Sequence, residues 1–202
     1  MKRQILSIFS ALMIALPGLA AADVDALMQG CNDCHGDNGV SQWSDVPSLA
    51  GLPEFVHSDQ LYIWKDGGRP CLKSEFRQGD TSRPAASMCD AVADLSEDDI
   101  DGIAAAYAAL PWTPAKQDFD ADLAAAGKAL HEQNCERCHS DGGTNPDDEA
   151  SMLGGQQMGY LRNAFGQFND GSREQPSKMK EKLDALSADD IEALVNFYGS
   201  LQ

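Results

Sequence analysis

Cys31-Asn32-Asp33-Cys34-His35 and Cys135-Glu136-Arg137-Cys138-His139 decide how this chain is read. Each is a C-x-x-C-H pentapeptide, the attachment signature of c-type haem. Two thiols three positions apart lie on nearly one face of a helical turn, where they can add to the two vinyl groups of one porphyrin. The adjacent imidazole then points at the iron as the proximal ligand. A tetrahedral zinc site would need four ligands gathered together. A thioredoxin-like redox pair would need a βαβ context, which the flanking residues do not supply.

The motifs sit in an internal repeat. Cys31 and Cys135 are 104 positions apart, and at the same offset Leu49-Ala50-Gly51 matches Leu153-Gly154-Gly155, Trp64 matches Phe168, and Asp66-Gly67-Gly68-Arg69 matches Asp170-Gly171-Ser172-Arg173. Further on the offset is 91, aligning Leu95-Ser96-Glu97-Asp98-Asp99-Ile100 with Leu186-Ser187-Ala188-Asp189-Asp190-Ile191. The first copy therefore carries 13 extra residues between Arg69 and Leu95. Self-similarity of this kind marks a duplicated unit. The expected organisation is a first domain over 23–110 with an insertion near 70–88, an extended linker over 111–119 containing Pro111 and Pro114, and a second domain over 120–202.

Helical signals dominate both units. Ser96 with Asp99, and Ser187 with Asp190, are N-capping pairs ahead of apolar residues at helical spacing: Ile100, Ile103, Tyr107 and Leu110 in one unit, Ile191, Leu194, Tyr198 and Leu201 in the other. These stripes are expected to pack on the motif-bearing helices as core. The second unit opens with a helix from about Asp120 to Gln133, the first with a shorter one. No segment shows a strand period, so the expected fold is all-α: two tandem cytochrome c-type domains, each built around one covalent haem. Units this small have a marginal apolar core of their own, and the haem would complete it.

Met88 is the one methionine after the motif in the first unit, and at the offset of 91 it aligns with Met179. This selects Met88 and Met179 as distal iron ligands, since a thioether raises the potential and suits electron transfer. His57 has Leu161 as its counterpart, which argues against a shared ligand role, and His131 reads as a surface residue. Arg69 and Arg173, at matched sites after a glycine-containing turn, either pair with haem propionates or stand as solvated turn residues. Cys71 and Cys89 have no counterparts and bracket the insertion. The simplest reading is a disulfide that holds Met88 near the iron; the alternative is a Cu(I) site of two thiolates.

The chain begins with Lys2-Arg3, an apolar run from Ile5 to Leu16 and small residues Ala20-Ala21-Ala22, the pattern of a cleaved export signal over 1–22. The formal charge of −17 becomes −19 once Lys2 and Arg3 leave with that signal. Such a surface repels nucleic acid and anionic membranes. It either steers a basic partner or reflects solvation in a saline habitat. No later segment reaches transmembrane length, and the expected location is the periplasm.

The paired motifs, the Leu-Ala/Gly-Gly stretches and the late methionines resemble the dihaem cytochromes of the c4 type. Pro114-Ala115-Lys116-Gln117, Phe119-Asp120, Gly127, Leu130-His131, Cys135-Glu136, Cys138-His139 and Gly142-Gly143 resemble the dihaem subunit of flavocytochrome c sulfide dehydrogenase over roughly 111–202. That resemblance implies an FAD-containing flavoprotein partner that oxidises sulfide, a soluble acceptor cytochrome, and no catalytic residue in this chain. The alternatives are a free-standing c4-type carrier to a terminal oxidase and a catalytic cytochrome acting on thiosulfate, the latter drawing on Cys89 beside Met88.

Overall fold

Asp23 accepts a hydrogen bond from the Asp25 N–H and starts α1 (Val24–His35), so the first motif lies wholly inside a helix. The computed structural model describes residues 23–202, and the expected export signal at 1–22 lies outside them. A 3-10 turn at Asp37–Gly39 leads to α2 (Glu54–Lys65). The insertion folds as a two-residue antiparallel ribbon, β1 (Lys73–Ser74) against β2 (Ala86–Ser87), and runs into α3 (Met88–Val92). The first half closes with α4 (Glu97–Ala108).

The second half repeats this order without the ribbon: α5 (Ala121–Asn134), a short α6 (Ser140–Gly143), α7 (Met158–Asn169), α8 (Ser177–Leu183) and α9 (Ala188–Ser200). Ser96 with Asp99 and Ser187 with Asp190 form reciprocal capping boxes, as their spacing predicts, and Ser87 with Asp90 forms a third at α3. The second motif lies beyond the end of α5. A helical turn persists there, because Cys138 N–H and His139 N–H both donate to Cys135 O at 3.0 Å. The helical expectation holds, with the short ribbon as its exception.

The core of each half forms where the closing helix crosses the opening helix. On α4, Ile100, Ile103, Ala104 and Tyr107 are buried; on α9, Leu194, Val195, Phe197 and Tyr198 are. Burying a side chain of this size contributes about 1.5–3 kcal/mol. A glycine sits at each crossing. A Cβ on Gly127 of α5 would lie 2.0 Å from Ala193 O on α9. In the first half the glycine sits on the other partner: Gly102 of α4, the repeat counterpart of Ala193, would place a Cβ 2.9 Å from Val24 Cγ2.

The halves meet through backbone-directed hydrogen bonds. Ser48 N–H donates to Gln156 Oε1 at 2.9 Å, and Gln156 Nε2 returns a bond to Ser48 O at 3.0 Å, with both residues buried. Gln157 Nε2 donates to Ser41 O at 2.7 Å, Tyr160 N–H to Ser44 O at 2.7 Å, and Glu174 N–H to Gly68 O at 2.9 Å. Residues 111–120 carry no helix or strand and are pinned by Ala115 N–H to Gly155 O at 2.8 Å. Among the described residues no helix is long and apolar enough to cross a membrane.

The Gly127 contact yields a test. Gly127→Ala gains helix propensity of up to about 1 kcal/mol, but its methyl overlaps backbone and forces α5 from α9. The expected outcome is a net loss of about 1–3 kcal/mol, read as a lower denaturant midpoint of the purified protein; an unchanged or raised midpoint contradicts the crossing.

Candidate functional site

His35 and His139 are held alike. His35 Nδ1 donates to Pro47 O at 2.9 Å and His139 Nδ1 to Ser151 O at 2.9 Å, in each case twelve residues downstream. The same loops are closed by Leu49 N–H to Gly39 O and Leu153 N–H to Gly143 O, both 2.7 Å. Burial pushes both imidazoles below the ordinary histidine range, only partly offset by these carbonyls. Each ring is therefore a neutral imidazole with Nδ1 occupied and the Nε2 lone pair free, the form that ligates a metal.

The first cysteine of each motif faces a tyrosine of the closing helix: Cys31 faces Tyr107 and Cys135 faces Tyr198. Burial, then the neighbouring thiol, raises the pKa of both tyrosines. Tyr107 also donates to Asn32 Oδ1 at 2.8 Å. Tyr198 instead reaches His131, whose Nδ1 lies 3.0 Å from the tyrosine oxygen and whose Nε2 lies 2.6 Å from Glu136 Oε2. His131 is 1 % exposed, so the surface reading is corrected. Ala124, Gly127 and His131 form the buried stripe of α5, and both ring nitrogens find partners there. The offset of 91 that pairs the two tyrosines was visible in the sequence, but their contact with the cysteines was not.

Met88 opens α3 directly after the Ser87 cap, and Met179 lies in the first turn of α8; both are half-buried. Met179 packs with Cys135 against the cluster containing Phe165, Leu183, Leu194 and Tyr198. Met158 is itself buried within that cluster, and Met152 is buried as well. Cys71 and Cys89 form a disulfide that ties the start of the insertion to α3 beside Met88. This leaves no thiolate for Cu(I), and among the described residues no group of three or more His, Cys, Asp or Glu could hold a metal ion. It also removes the free Cys89 on which a catalytic role in thiosulfate oxidation drew.

Arg69 and Arg173 are buried, which excludes the solvated-turn alternative. Arg69 stacks 4.2 Å from the Trp64 ring centroid and Arg173 4.4 Å from that of Phe168, the matched aromatic position. Their guanidiniums share one acceptor: Arg69 Nη1 and Arg173 Nη2 donate to Gln60 Oε1 at 2.7 and 2.9 Å. Tyr160 bonds to both. Its burial opposes ionisation, yet the charges of Arg173 and Arg69 bring its pKa down to about 8. Neither arginine has an ion pair among the described residues, and Arg69 Nε and Arg173 Nη1 are buried without a hydrogen-bond partner. Two unneutralised buried cations with orphaned N–H groups fit the carboxylates of a haem. His57, against Tyr107, is held near pKa 4 by burial and is neutral at pH 7.

Similarity to known proteins follows this geometry. A family profile described as cytochrome c oxidase, cbb3-type, subunit III matches residues 122–197. The chain is 29% identical to cytochrome c4 of Pseudomonas aeruginosa across 94% of this chain and 95% of that protein. It superposes on reduced recombinant cytochrome c4 from Pseudomonas stutzeri with a TM-score of 0.70 and 27% identity, over 90% of this chain and all of that one. The likeness to cytochrome c4 thus runs through both halves of the chain. A further relative, the thiosulfate dehydrogenase electron acceptor of Thiomonas intermedia, is 29% identical over 76% of this chain and 68% of its own length. The c4-like resemblance implies covalently bound haem c, in keeping with the duplicated His-to-carbonyl bonds and the unpaired arginines.

In this c4-like chain the disulfide closes a loop of 18 residues. A C71S/C89S double variant is expected to lose about 3 kcal/mol of stability through loop-closure entropy. Urea denaturation of the haem-loaded protein checks this, and an unchanged midpoint contradicts it.

Proposed function

We propose that this chain is a periplasmic dihaem electron carrier that accepts electrons from a dehydrogenase of reduced sulfur compounds and passes them to a soluble acceptor cytochrome. The observation that carries it is the duplication at atomic level: two C-x-x-C-H motifs, each with its imidazole aimed by a carbonyl twelve residues on. Residues 23–110 and 120–202 are the two haem domains, and 111–119 joins them. Cys31 and Cys34 hold one haem, Cys135 and Cys138 the other. His35 and His139 are the proximal ligands, and Met88 and Met179 the distal ones. Haem c, when bound, supplies a one-electron iron couple. The chain's own residues set its conditions. Burial keeps each imidazole neutral and the carbonyl bonds orient it, the thioethers favour the reduced state, and Arg69 and Arg173 balance propionate charge at the seam between the halves.

The partner follows from the resemblance of residues 111–202 to the dihaem subunit of a sulfide-oxidising flavoenzyme, which makes an FAD flavoprotein the first reading. A second reading, a thiosulfate dehydrogenase as donor, is favoured by the similarity to the Thiomonas electron acceptor. A free-standing carrier to a terminal oxidase is the remaining alternative, supported by the cytochrome c4 match over 94% of the chain.

Mixing the oxidised protein with a sulfide-dehydrogenase flavoprotein plus sulfide, or with a thiosulfate dehydrogenase plus thiosulfate, separates these readings through the reduced-haem absorbance. Rapid reduction in the first mixture is expected; reduction in the second alone moves the donor to thiosulfate dehydrogenase, and reduction in neither overturns both. In the same preparations, M88A and M179A are each expected to remove half of the charge-transfer band at roughly 700 nm that marks His/Met iron, with haem content unchanged. A full band in either variant removes that methionine from the ligand set.

A further inference from the structure

The two attachment motifs are not equally open. In the first half the insertion lies on the motif. Arg77 N–H and Gln78 N–H donate to Asp33 O at 2.9 and 3.0 Å, and Gln78 Nε2 donates to Asp37 Oδ1 at 2.8 Å. A Cβ on Gly79 would come within 2.6 Å of Asp33 Oδ1. Asp33 is buried by this cover, and the insertion's arginines are neutralised against it: Arg83 pairs with Asp33, and Arg77 with Asp45 at 2.7 Å. Cys34 is half-buried as a result, whereas its counterpart Cys138 is exposed.

The second half has the opposite character. The position matching Asp33 is Arg137, which is exposed. At the offset of 91, Lys178, Lys180 and Lys182 stand where the first half has Ser87, Cys89 and Ala91, and all three lysines are exposed. Lys180 is paired with Asp184 at 2.7 Å. The side chains of Lys178, Lys182 and Arg137 have no ion pair or hydrogen bond among the described residues. Lys182 lies close enough to the Cys135 thiol for its charge to act on it, and Met179, between Lys178 and Lys180, packs against the same cluster as Cys135. Glu136, the carboxylate inside the motif, is engaged by His131 and by the Asp141 N–H. Glu181 is the exposed carboxylate left among these cations. In a chain of formal charge −17, a locally positive face beside a haem-attachment site is the exception.

We infer that the face formed by Arg137, Lys178 and Lys182 around the second motif is the docking surface for an acidic redox protein, and that the disulfide-closed insertion shuts the corresponding face of the first half. This rests on the dihaem reading above. The occupant is a protein with a compact acidic patch because an extended polyanion, such as nucleic acid or an anionic bilayer, would also meet the negative remainder of the chain. A protein patch meets this face alone. Exchange with the partner then takes place at the second haem site, and the first communicates through the seam bearing Arg69, Tyr160 and Arg173.

The test uses the fully reduced, diamagnetic haem-loaded protein and tris(oxalato)chromate(III), an inert paramagnetic anion, with NMR line broadening as the readout. Broadening is expected at residues 137–138 and 178–183, vanishing as salt is raised past roughly 0.1 M, and absent at 73–83. K178E/K182E should abolish it while leaving haem content and the visible spectrum unchanged. The same variant should slow oxidation by hexacyanoferrate(III) about fivefold at low ionic strength, each ferrous iron giving one electron to one hexacyanoferrate. Broadening centred on 73–83, or broadening at 178–183 that survives the double reversal or high salt, overturns the docking surface. A protein carrying fewer than two haems overturns instead the reading beneath it, and the haem count of the same sample distinguishes the two failures.

Discussion

The hydrogen bond from an imidazole Nδ1 to a backbone carbonyl twelve residues on, made once by His35 and once by His139, is the constraint around which each half is arranged. For the carbonyl to be there, the loop after the motif must fold back, which the glycine carbonyls of Gly39 and Gly143 secure through matched bonds to Leu49 and Leu153. For the imidazole to be there, the motif helix must be fixed against the closing helix. Gly127 and Gly102 permit that close crossing from opposite sides, and Tyr107 and Tyr198 lock it at the first cysteine of each motif. The stripe of apolar residues on α4 and α9 thus also fixes the position of each imidazole.

The repeat also shows where the halves have diverged. Both keep an arginine stacked on an aromatic at the seam, and the two guanidiniums converge on Gln60 and Tyr160, which have no repeat equivalents of their own type: Gln60 matches Ala164 and Tyr160 matches Val56. Buried like charges that share one acceptor are unfavourable unless anions accompany them. The second divergence is at the methionine. One copy is stapled by a disulfide and roofed by a ribbon; the other is flanked by exposed lysines. Duplication supplied two equal sites, and local substitution has made them unequal.

Much of this was legible in the residues. The motifs, the change of offset from 104 to 91, the capping pairs and the bracketing cysteines are local patterns, and local patterns survive translation into structure. What was not legible depends on packing between distant segments. His131 reads as a polar surface residue until α9 supplies Tyr198 and the motif supplies Glu136. Arg69 and Arg173 read equally well as propionate partners or as solvated turn residues until the seam buries them. The ribbon at Lys73–Ser74 is too short to show any alternation, and the Cys71–Cys89 disulfide closes its open end.

The central claim is that both cysteine pairs carry covalent porphyrin. Intact-mass measurement of the mature, exported protein under denaturing conditions tests it most directly. The account predicts the mass of the polypeptide plus two haems, falling by one haem in C31A/C34A and by one in C135A/C138A. A mass equal to the polypeptide alone, or to the polypeptide with a single haem, would contradict it.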